Sequence, residues 1–330
     1  MYLAGDIGGT KTVVGLFDRA SGSHHPVREA IFPSRNFGAL EQILDKFLTP
    51  SEKSDIQGAA FGVAGAIIDG RCKTTNLPWE LDQRTLGAFL GTMKCRLLND
   101  LEAMAFGMLN LPEKDLVALN PNAGPRTPGN VAVLAAGTGL GEAFLIWDGS
   151  RYHTVATEGG HTDFAPQDEI ETDLLRFLIN RFGNHVSYER ILSGPGIYNV
   201  YSFLVDRANE EPHPKVAETL ASGGDPSAAV SELGLAGEDR LARETLELFC
   251  RIYGAEAGNL ALKILSRGGV MVGGGIAPRL FPILGHEIFL ESFMRKGRFA
   301  HFMKTLPLHM ATNPRVAIIG AADYALQMIG

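Results

Sequence analysis

One pattern of strands and turns occurs twice in this chain. Residues 3–22 and residues 131–152 each run from an apolar strand through a glycine turn with a threonine into a second strand, an aspartate and another turn. Self-similarity on this scale indicates a duplicated domain, and each half would then begin with a glycine-rich β-hairpin. Two such hairpins facing each other would form a cleft with backbone amides on both walls.

The segments after the first hairpin predict an α/β fold. A strand is expected at Arg28–Pro33 and an amphipathic helix at Leu40–Phe47. Ala59–Val63 and Arg96–Leu98 have the composition of buried strands in a mixed or parallel sheet, with helices between and after them. Strands that alternate with helices in this way are typical of α/β proteins.

The second half of the chain predicts a helical region followed by a return to the sheet. Asp168–Lys263 has mostly helical spacing, with Asn209–Glu238 expected as a surface excursion because it is rich in Pro, Gly, Ser and charge. Strands are expected at Gly269–Val272 and Pro307–Ala311. A closing helix is expected at Val316–Met328, packed back on the first domain.

Composition excludes several classes of protein. A net charge of -7 over 330 residues argues against a nucleic-acid surface. The three cysteines are far apart and have no metal-ligand spacing, which favours reduced thiols and a cytoplasmic location. Apolar stretches are too short to span a membrane, and the first residues do not have the pattern of a signal peptide. We therefore expect no nucleic-acid or membrane partner.

Three glycine turns stand at strand ends. A glycine backbone can approach a phosphate closely because it has no Cβ, and the aspartate before the first turn could hold Mg²⁺ through water. Each turn alone is equally compatible with an ordinary hairpin or strand–helix junction, whereas the three together favour a nucleotide cleft. The residues concerned are Asp6, Gly8, Gly9 and Thr10, then Gly137, Thr138 and Gly139, and finally Gly273, Gly274 and Gly275.

Polar residues follow two other strands. Asn99 and Asp100 stand between an apolar strand and a helix, where a helix cap and a ligand-binding carboxylate are both reasonable interpretations. Glu158 and His161 flank two glycines, a pair suited to the vicinal hydroxyls of a sugar. A metal site is the alternative for that pair. Glu189 alone would be interpreted as a solvated residue or an ion-pair partner of the next arginine.

Taken together, these motifs resemble the bacterial-type glucokinase family of the actin-like ATPase superfamily in order and spacing over essentially the whole chain. The matching segments are Gly5-Asp6-Ile7-Gly8-Gly9-Thr10, Thr75-Asn76-Leu77-Pro78-Trp79, Leu98-Asn99-Asp100, Ala136-Gly137-Thr138-Gly139-Leu140-Gly141, Glu158-Gly159-Gly160-His161, Glu189-Arg190-Ile191-Leu192-Ser193-Gly194-Pro195-Gly196, Gly273-Gly274-Gly275-Ile276-Ala277-Pro278 and Lys296-Gly297-Arg298-Phe299.

The resemblance implies an α/β fold of two duplicated actin-like (ribonuclease H-like) ATPase domains flanking a cleft. The small domain would comprise residues 1–110 and 312–330, and the large domain residues 111–311 with a mostly helical insertion. The implied reaction is ATP-dependent phosphorylation of D-glucose at its 6-hydroxyl, the first step of glycolysis. Mg²⁺ would arrive with the nucleotide, no metal would be bound by the protein alone, and the assembly would be a homodimer.

The resemblance also implies roles for single residues. Asp100 matches the base that accepts the proton of the 6-hydroxyl. The other sugar-binding positions are Asn99, Glu158, His161 and Glu189. The phosphate loops match Asp6 with Gly8, Gly9 and Thr10, and Gly137 with Thr138 and Gly139, while the adenosine turn matches Gly273, Gly274 and Gly275.

One position departs from the family pattern. Lys11 follows Thr10 where the family usually has Asn, and lysine there is similar to the related ROK kinases and repressors. ROK proteins carry a Cys-rich zinc motif after the sugar-binding histidine, which this chain lacks. The alternatives that stay open are a kinase for another hexose, a non-catalytic sugar sensor and an actin-like filament protein.

Overall fold

The computed structural model describes residues 1–74, 77–285 and 287–329, and the chain divides into two compact units. The first unit comprises Met1–Asp115, Thr154–Ala156 and Asn313–Gly330, and the second comprises Leu116–His153 and Thr157–Thr312. Thr75 and Asn76, which belong to one of the motifs above, lie outside the described residues.

The elements are numbered in chain order. The strands are β1 (Tyr2–Ile7), β2 (Lys11–Phe17), β3 (Arg28–Pro33), β4 (Gly58–Val63), β5 (Arg71–Lys73), β6 (Glu80–Asp82), β7 (Cys95–Asn99), β8 (Leu116–Ala118), β9 (Val131–Ala136), β10 (Leu140–Trp147), β11 (Tyr152–Ala156), β12 (Gly269–Gly273) and β13 (Leu308–Ala311). The helices are α1 (Leu40–Phe47), α2 (Pro50–Ser54), α3 (Gln83–Leu90), α4 (Asp100–Asn110), α5 (Glu169–Phe182), α6 (Gly194–Ala208), α7 (Pro214–Ala221), α8 (Pro226–Ala236), α9 (Arg240–Lys263), α10 (Ile276–Leu284), α11 (Glu287–Met294), α12 (Ala300–Thr305) and α13 (Val316–Ile329).

The first unit is built on a five-stranded sheet in the order β3-β2-β1-β4-β7. The strands β1, β2 and β3 are antiparallel, while β1, β4 and β7 run parallel to one another. Helix α13 packs on β1, β4 and α4. The helices α4 and α13 approach closely because Gly107 and Gly320 lie at their crossing, where a Cβ on Gly320 would collide with the carbonyl oxygen of Ala103.

The second unit repeats this arrangement. Its six-stranded sheet has the order β11-β10-β9-β12-β13-β8, with β9 and β10 antiparallel and β9, β12 and β13 parallel. A hairpin with a third strand on one side and parallel strands on the other therefore occurs in both sheets. The predicted duplication and α/β class are confirmed, and the helices α5 to α9 form the predicted helical region.

The prediction of a surface excursion at Asn209–Glu238 is wrong for the later part of the segment, which is a packed helix. Most of this segment forms α7 and α8, and α8 buries Ala229, Val230 and Leu233. The residues that suggested a loop begin helices instead, since the Asp225 side chain accepts the N–H of Ser227 at 2.9 Å and Pro226 occupies the first helical turn.

Candidate active site

In the first unit, polar residues gather at one edge of the sheet. The register pairs Asp6 with Gly62 and Gly62 with Leu98, so that Asp6 and Asn99 stand at the carboxyl ends of parallel strands. Asp100 follows directly as the first residue of α4. Ligands of open α/β sheets bind at this edge, so the fold brings the two predicted segments together.

Asn99 is the residue that caps α4. Its side-chain oxygen accepts the N–H of Leu101 at 2.9 Å, and the Glu102 carboxylate accepts the N–H of Asn99 at 3.0 Å. The amide nitrogen of Asn99 also donates to the carbonyl of Gly65 at 3.1 Å. Because Asn99 has the capping position, Asp100 stands within the helix, where its half-buried carboxylate also accepts the N–H of Leu101 at 2.9 Å.

Asp6 is electrostatically linked to Asp100. Burial raises the pKa of Asp6 to about 6, and the negative charge of Asp100 adds to the increase while Lys11 opposes it. Two carboxyl groups that repel each other at one sheet edge offer the hard oxygen donors that a divalent cation prefers. The residues present therefore fit Mg²⁺ brought by a nucleotide, with Asp6 as the residue that would hold it through water.

The first glycine turn is anchored by Ser34, which is fully buried. The Ser34 hydroxyl donates to the carbonyl of Gly8 at 2.7 Å, and its N–H donates to the carbonyl of Thr10 at 3.1 Å. The hydroxyl oxygens of Thr12 and Ser34 are 2.9 Å apart. Ser34 was missed by the sequence analysis because nothing in the local sequence links it to a turn more than twenty residues earlier.

The second glycine turn is held by a later segment of the second unit. The N–H of Gly137 donates to the carbonyl of Gly139 within the turn at 2.8 Å, and the N–H of Gly194 donates to the carbonyl of Gly137 at 2.8 Å. The Glu189 carboxylate accepts the N–H of Leu140 at 3.0 Å. Glu189 is thus neither a solvated helix residue nor the partner of the next arginine, since its carboxylate faces the turn.

The pair of glycines between Glu158 and His161 lies directly against β10. A Cβ on Gly159 would collide with the Glu142 carboxylate, and a Cβ on Gly160 with the carbonyl oxygen of Leu140. Glu158 and His161 themselves are exposed. The N–H of Tyr188 donates to the carbonyl of Thr162 at 3.1 Å, and this bond brings the segment next to Glu189. The three predicted sugar residues of this unit therefore belong to adjoining segments.

Glu142 lies beneath that segment and is almost completely buried. It is 1% exposed, and within residues 1–74, 77–285 and 287–329 neither of its carboxylate oxygens has a hydrogen-bond partner. Burial raises the pKa of Glu142 to about 8, the negative charge of buried Glu256 adds to the increase, and Lys263 opposes it. Burial therefore favours the protonated form of Glu142 at neutral pH.

A cavity of about 870 Å³ opens beside the second and third glycine turns. Gly137, Thr138 and Gly275 line it. Gly273 is buried as the last residue of β12, and Gly274, with a φ of 82°, lies against Ala136. Of the third turn, Gly275 therefore faces the cavity, while the other two glycines shape the turn.

The same cavity contains cationic and aromatic side chains that the sequence analysis missed. Arg190 stacks 4.3 Å above the ring of Phe182, and Arg181 lies 5.9 Å from the ring centre of Tyr198. All four line the cavity, as does Arg279 one turn into α10. Arg279 could have been found from its spacing, since a residue four positions after Gly275 is on the same face of the helix. Flat cations and rings of this kind suit an adenine base and a phosphate chain.

A metal site and a membrane-spanning helix each have requirements with which the described residues can be compared. Within the described ranges, no group of three His, Cys, Asp or Glu side chains is arranged to hold a metal ion, so the metal interpretation of Glu158 and His161 gains no further ligands. None of the described helices is long and apolar enough to cross a membrane.

Several glucokinases are similar to this chain in sequence and in structure. The family model described as Glucokinase matches residues 3–328. A glucokinase of Trichormus variabilis is 38% identical over 341 residues, which cover 99% of each chain. The crystal structure of a glucokinase from an Antarctic psychrotroph superposes with a TM-score of 0.85 at 29% identity, over 99% of this chain and 98% of the other.

A more distant structure shares the fold. It is a ROK family glucokinase from Streptomyces griseus, solved in complex with glucose and AMPPNP, with a TM-score of 0.63, 20% identity, and coverage of 99% of both chains. These sugar kinases have the actin-like ATPase fold, so the predicted fold class is confirmed. The match of the family model over nearly the whole chain also confirms the resemblance on which the sequence analysis relied. The chain belongs to the glucokinase family.

Proposed function

We propose that the chain transfers the γ-phosphoryl group of ATP to the 6-hydroxyl of D-glucose, with Asp100 as the catalytic base. The observation that carries this proposal is the match to the glucokinase family over residues 3–328. The sheet edge with Asp6 and Asp100 supports it in the first unit, and the cavity beside the glycine turns supports it in the second. Glycolysis is the usual setting of this reaction.

Asp100 orients the 6-hydroxyl and accepts its proton as the new bond forms. Phosphoryl transfer needs little covalent help, so most of the catalysis comes from positioning and from stabilisation of charge. Backbone amides of Gly9 and Thr10 face the phosphates in the first unit, while the N–H of Gly8 closes the turn on the carbonyl of Lys11. Asp6 would hold the metal that arrives with the nucleotide. When bound, Mg²⁺ neutralises charge on the phosphate oxygens.

The second unit supplies the other binding groups. Glu158 and Glu189 accept hydrogen bonds from sugar hydroxyls, and His161 can donate or accept one. In the first unit, Asn99 is assigned a sugar contact. Thr138 and Gly139 bind phosphate through backbone amides, while the N–H of Gly137 stays within the turn, bonded to the carbonyl of Gly139. The turn that ends in Gly275 receives the adenosine, and Arg190 with Phe182 forms a flat face for its base.

Three further properties belong to this proposal. The two units act as the predicted small and large domains. The working assembly is a homodimer, as implied by the family resemblance. The enzyme is cytoplasmic, which is supported by the three cysteines, Cys72, Cys95 and Cys250, all buried as free thiols.

The experiment is an assay of ADP release with Mg-ATP and glucose, mannose, fructose, N-acetylglucosamine or no sugar. Strong turnover confined to glucose supports the proposal. Turnover with a different sugar would retain the reaction and refute the assigned substrate. ADP release that does not depend on sugar would refute kinase activity, and a complete absence of turnover with a folded protein would favour a sugar sensor.

A further inference from the structure

The segment from Glu189 to Gly194 contacts the second glycine turn at both ends. The Glu189 Oε2 atom accepts the N–H of Leu140 at 3.0 Å, and the N–H of Gly194 donates to the carbonyl of Gly137 at 2.8 Å. Leu140 is buried, with 5% exposure, so its N–H would lose its partner if this carboxylate were removed. An unsatisfied buried N–H is costly, and the turn therefore depends on Glu189 for its conformation.

The approach of Glu189 to the turn requires a glycine. A Cβ on Gly139 would collide with the Oε2 atom of Glu189, so any other residue at position 139 would displace the carboxylate. The glycine at this position thus serves the contact with Glu189 as well as access to phosphate. This second role could not be recognised from the sequence, where the glycine is typical of any phosphate loop.

The backbone of Glu189 is itself fixed. The Ser193 hydroxyl donates to the carbonyl of Glu189 at 2.7 Å, and the preceding Tyr188 is buried, with its hydroxyl accepting from Asn259 at 3.1 Å. A carboxylate on such a fixed base can define the position of a flexible turn. Because a carboxylate accepts hydrogen bonds at both oxygens, Oε1 can receive a sugar hydroxyl while Oε2 holds the turn.

We infer that Glu189 is a positioning residue for the nucleotide loop, in addition to the sugar contact assigned to it above. The inference rests on the proposed function for the identity of the two ligands. Its consequence is that nucleotide affinity depends on Glu189 even when no sugar is present. Glu158 provides the matched control, because it has the same assigned sugar role and no contact with the second turn among the hydrogen bonds of the described residues.

The test is calorimetric titration of the full-length protein with Mg-ADP in the absence of sugar. We expect Glu189→Ala to weaken ADP binding by roughly tenfold or more, the scale for loss of a hydrogen bond to a charged group. Glu189→Gln should stay within about threefold of the unchanged protein, because its amide oxygen can still accept the N–H of Leu140. Glu158→Ala should bind ADP normally, while all three variants raise the KM for glucose.

The inference is overturned if Glu189→Ala binds ADP as tightly as Glu158→Ala does. If Glu189→Ala does not fold, the test is hydrogen exchange of a peptide that contains Leu140, measured in Glu189→Gln and in the unchanged protein. Similar protection in both proteins supports retention of the hydrogen bond. Rapid exchange in both refutes it. Failure of the proposed function is visible separately, as absent glucose-dependent turnover in the unchanged protein, which leaves the ADP titration interpretable.

Discussion

The two glycine hairpins have the same place in their sheets but different surroundings. In the first, four residues separate the paired Ile7 and Thr12, whereas three residues separate the paired Ala136 and Leu140 in the second. The first turn follows an aspartate and is anchored by the neutral side chain of Ser34. The second turn follows two alanines, Ala135 and Ala136, and is anchored by the carboxylate of Glu189.

This difference shows which properties a duplicated topology determines. Strand order fixes where each turn stands, because the turn always joins two antiparallel strands beside a parallel one. The charge next to the turn depends on residues that the duplication did not conserve, namely Asp6 in one unit and Glu189 in the other. We therefore expect variants of the carboxylates beside the first hairpin to act mainly on chemistry, and variants near the second hairpin to act mainly on binding and packing.

The sharpest test of this division is Asp100→Asn. We expect kcat to fall by roughly 10²-fold or more, the scale for a positioned base, with a normal melting temperature. Glu158→Gln in the second unit should instead raise the KM for glucose with a smaller change in kcat. Steady-state kinetics with both substrates varied would measure this, and near-normal turnover of Asp100→Asn would remove that residue from the mechanism.

Glu142 should make stability depend on pH. Its folded pKa is raised from 4.5 to about 8, so the folded chain keeps a proton that the unfolded chain releases between these values. Stability is then lost as pH rises through this window, at ~1.4 kcal/mol per pKa unit and on the order of 5 kcal/mol at most.

The variant Glu142→Gln should remove much of this pH dependence. Denaturant unfolding from pH 5 to pH 8.5 would measure it, with exposed Glu113→Gln as the control. Equal pH profiles for Glu142→Gln and the unchanged protein would show that Glu142 ionises normally.

A methyl group added beside the second hairpin, at Gly160, should lower the stability of the fold. Gly160→Ala places its Cβ against the backbone carbonyl of Leu140, which cannot move without disturbing β10, so we expect a loss of about 2 kcal/mol. Gly124→Ala is the matched control, because a Cβ there meets nothing within 4 Å. Thermal unfolding of both would check this, and equal melting temperatures would contradict the close packing.

The smallest effect is expected at the anchor of the first hairpin. Ser34→Ala removes the hydroxyl that bonds Gly8 and leaves the Thr12 hydroxyl without that partner, which should cost about 1 kcal/mol. The KM for ATP should rise while the KM for glucose stays unchanged. Exposed Ser51→Ala serves as the control in unfolding and kinetic measurements, and an unchanged KM for ATP would show that the first turn holds its shape without Ser34.

Local signals allowed much of the fold to be predicted. The hairpins, Arg28–Pro33 and Leu40–Phe47 have clear periodicity and turn residues, and the structure has β3 and α1 at these bounds. The segment Asn209–Glu238 was misjudged because Pro and Asp begin helices as readily as they mark loops. Composition alone does not distinguish those two uses, whereas the burial of Val230 and Leu233 does.

The candidate site was predictable only where the sequence itself was distinctive. Asp100 and the glycine turns could be selected, partly through the family resemblance, and their roles remain predictions. Ser34 and Glu142 could not be selected, because their importance comes from contacts between distant segments. The positioning role inferred for Glu189 could not be selected from the sequence either, since it depends on the close approach of this residue to Gly139.

The closing helix α13 has a consequence for biosynthesis. It packs on β1 and β4 of the first unit, and buried Ile318, Ala321 and Ala325 join the same core as Tyr2 and Ala4. The strand β1 must therefore wait for a helix that begins only at Val316 before that core can close. The N-terminal segment would depend on chaperones for longer than its early synthesis suggests, and a nascent chain stalled before α13 should remain sensitive to protease there.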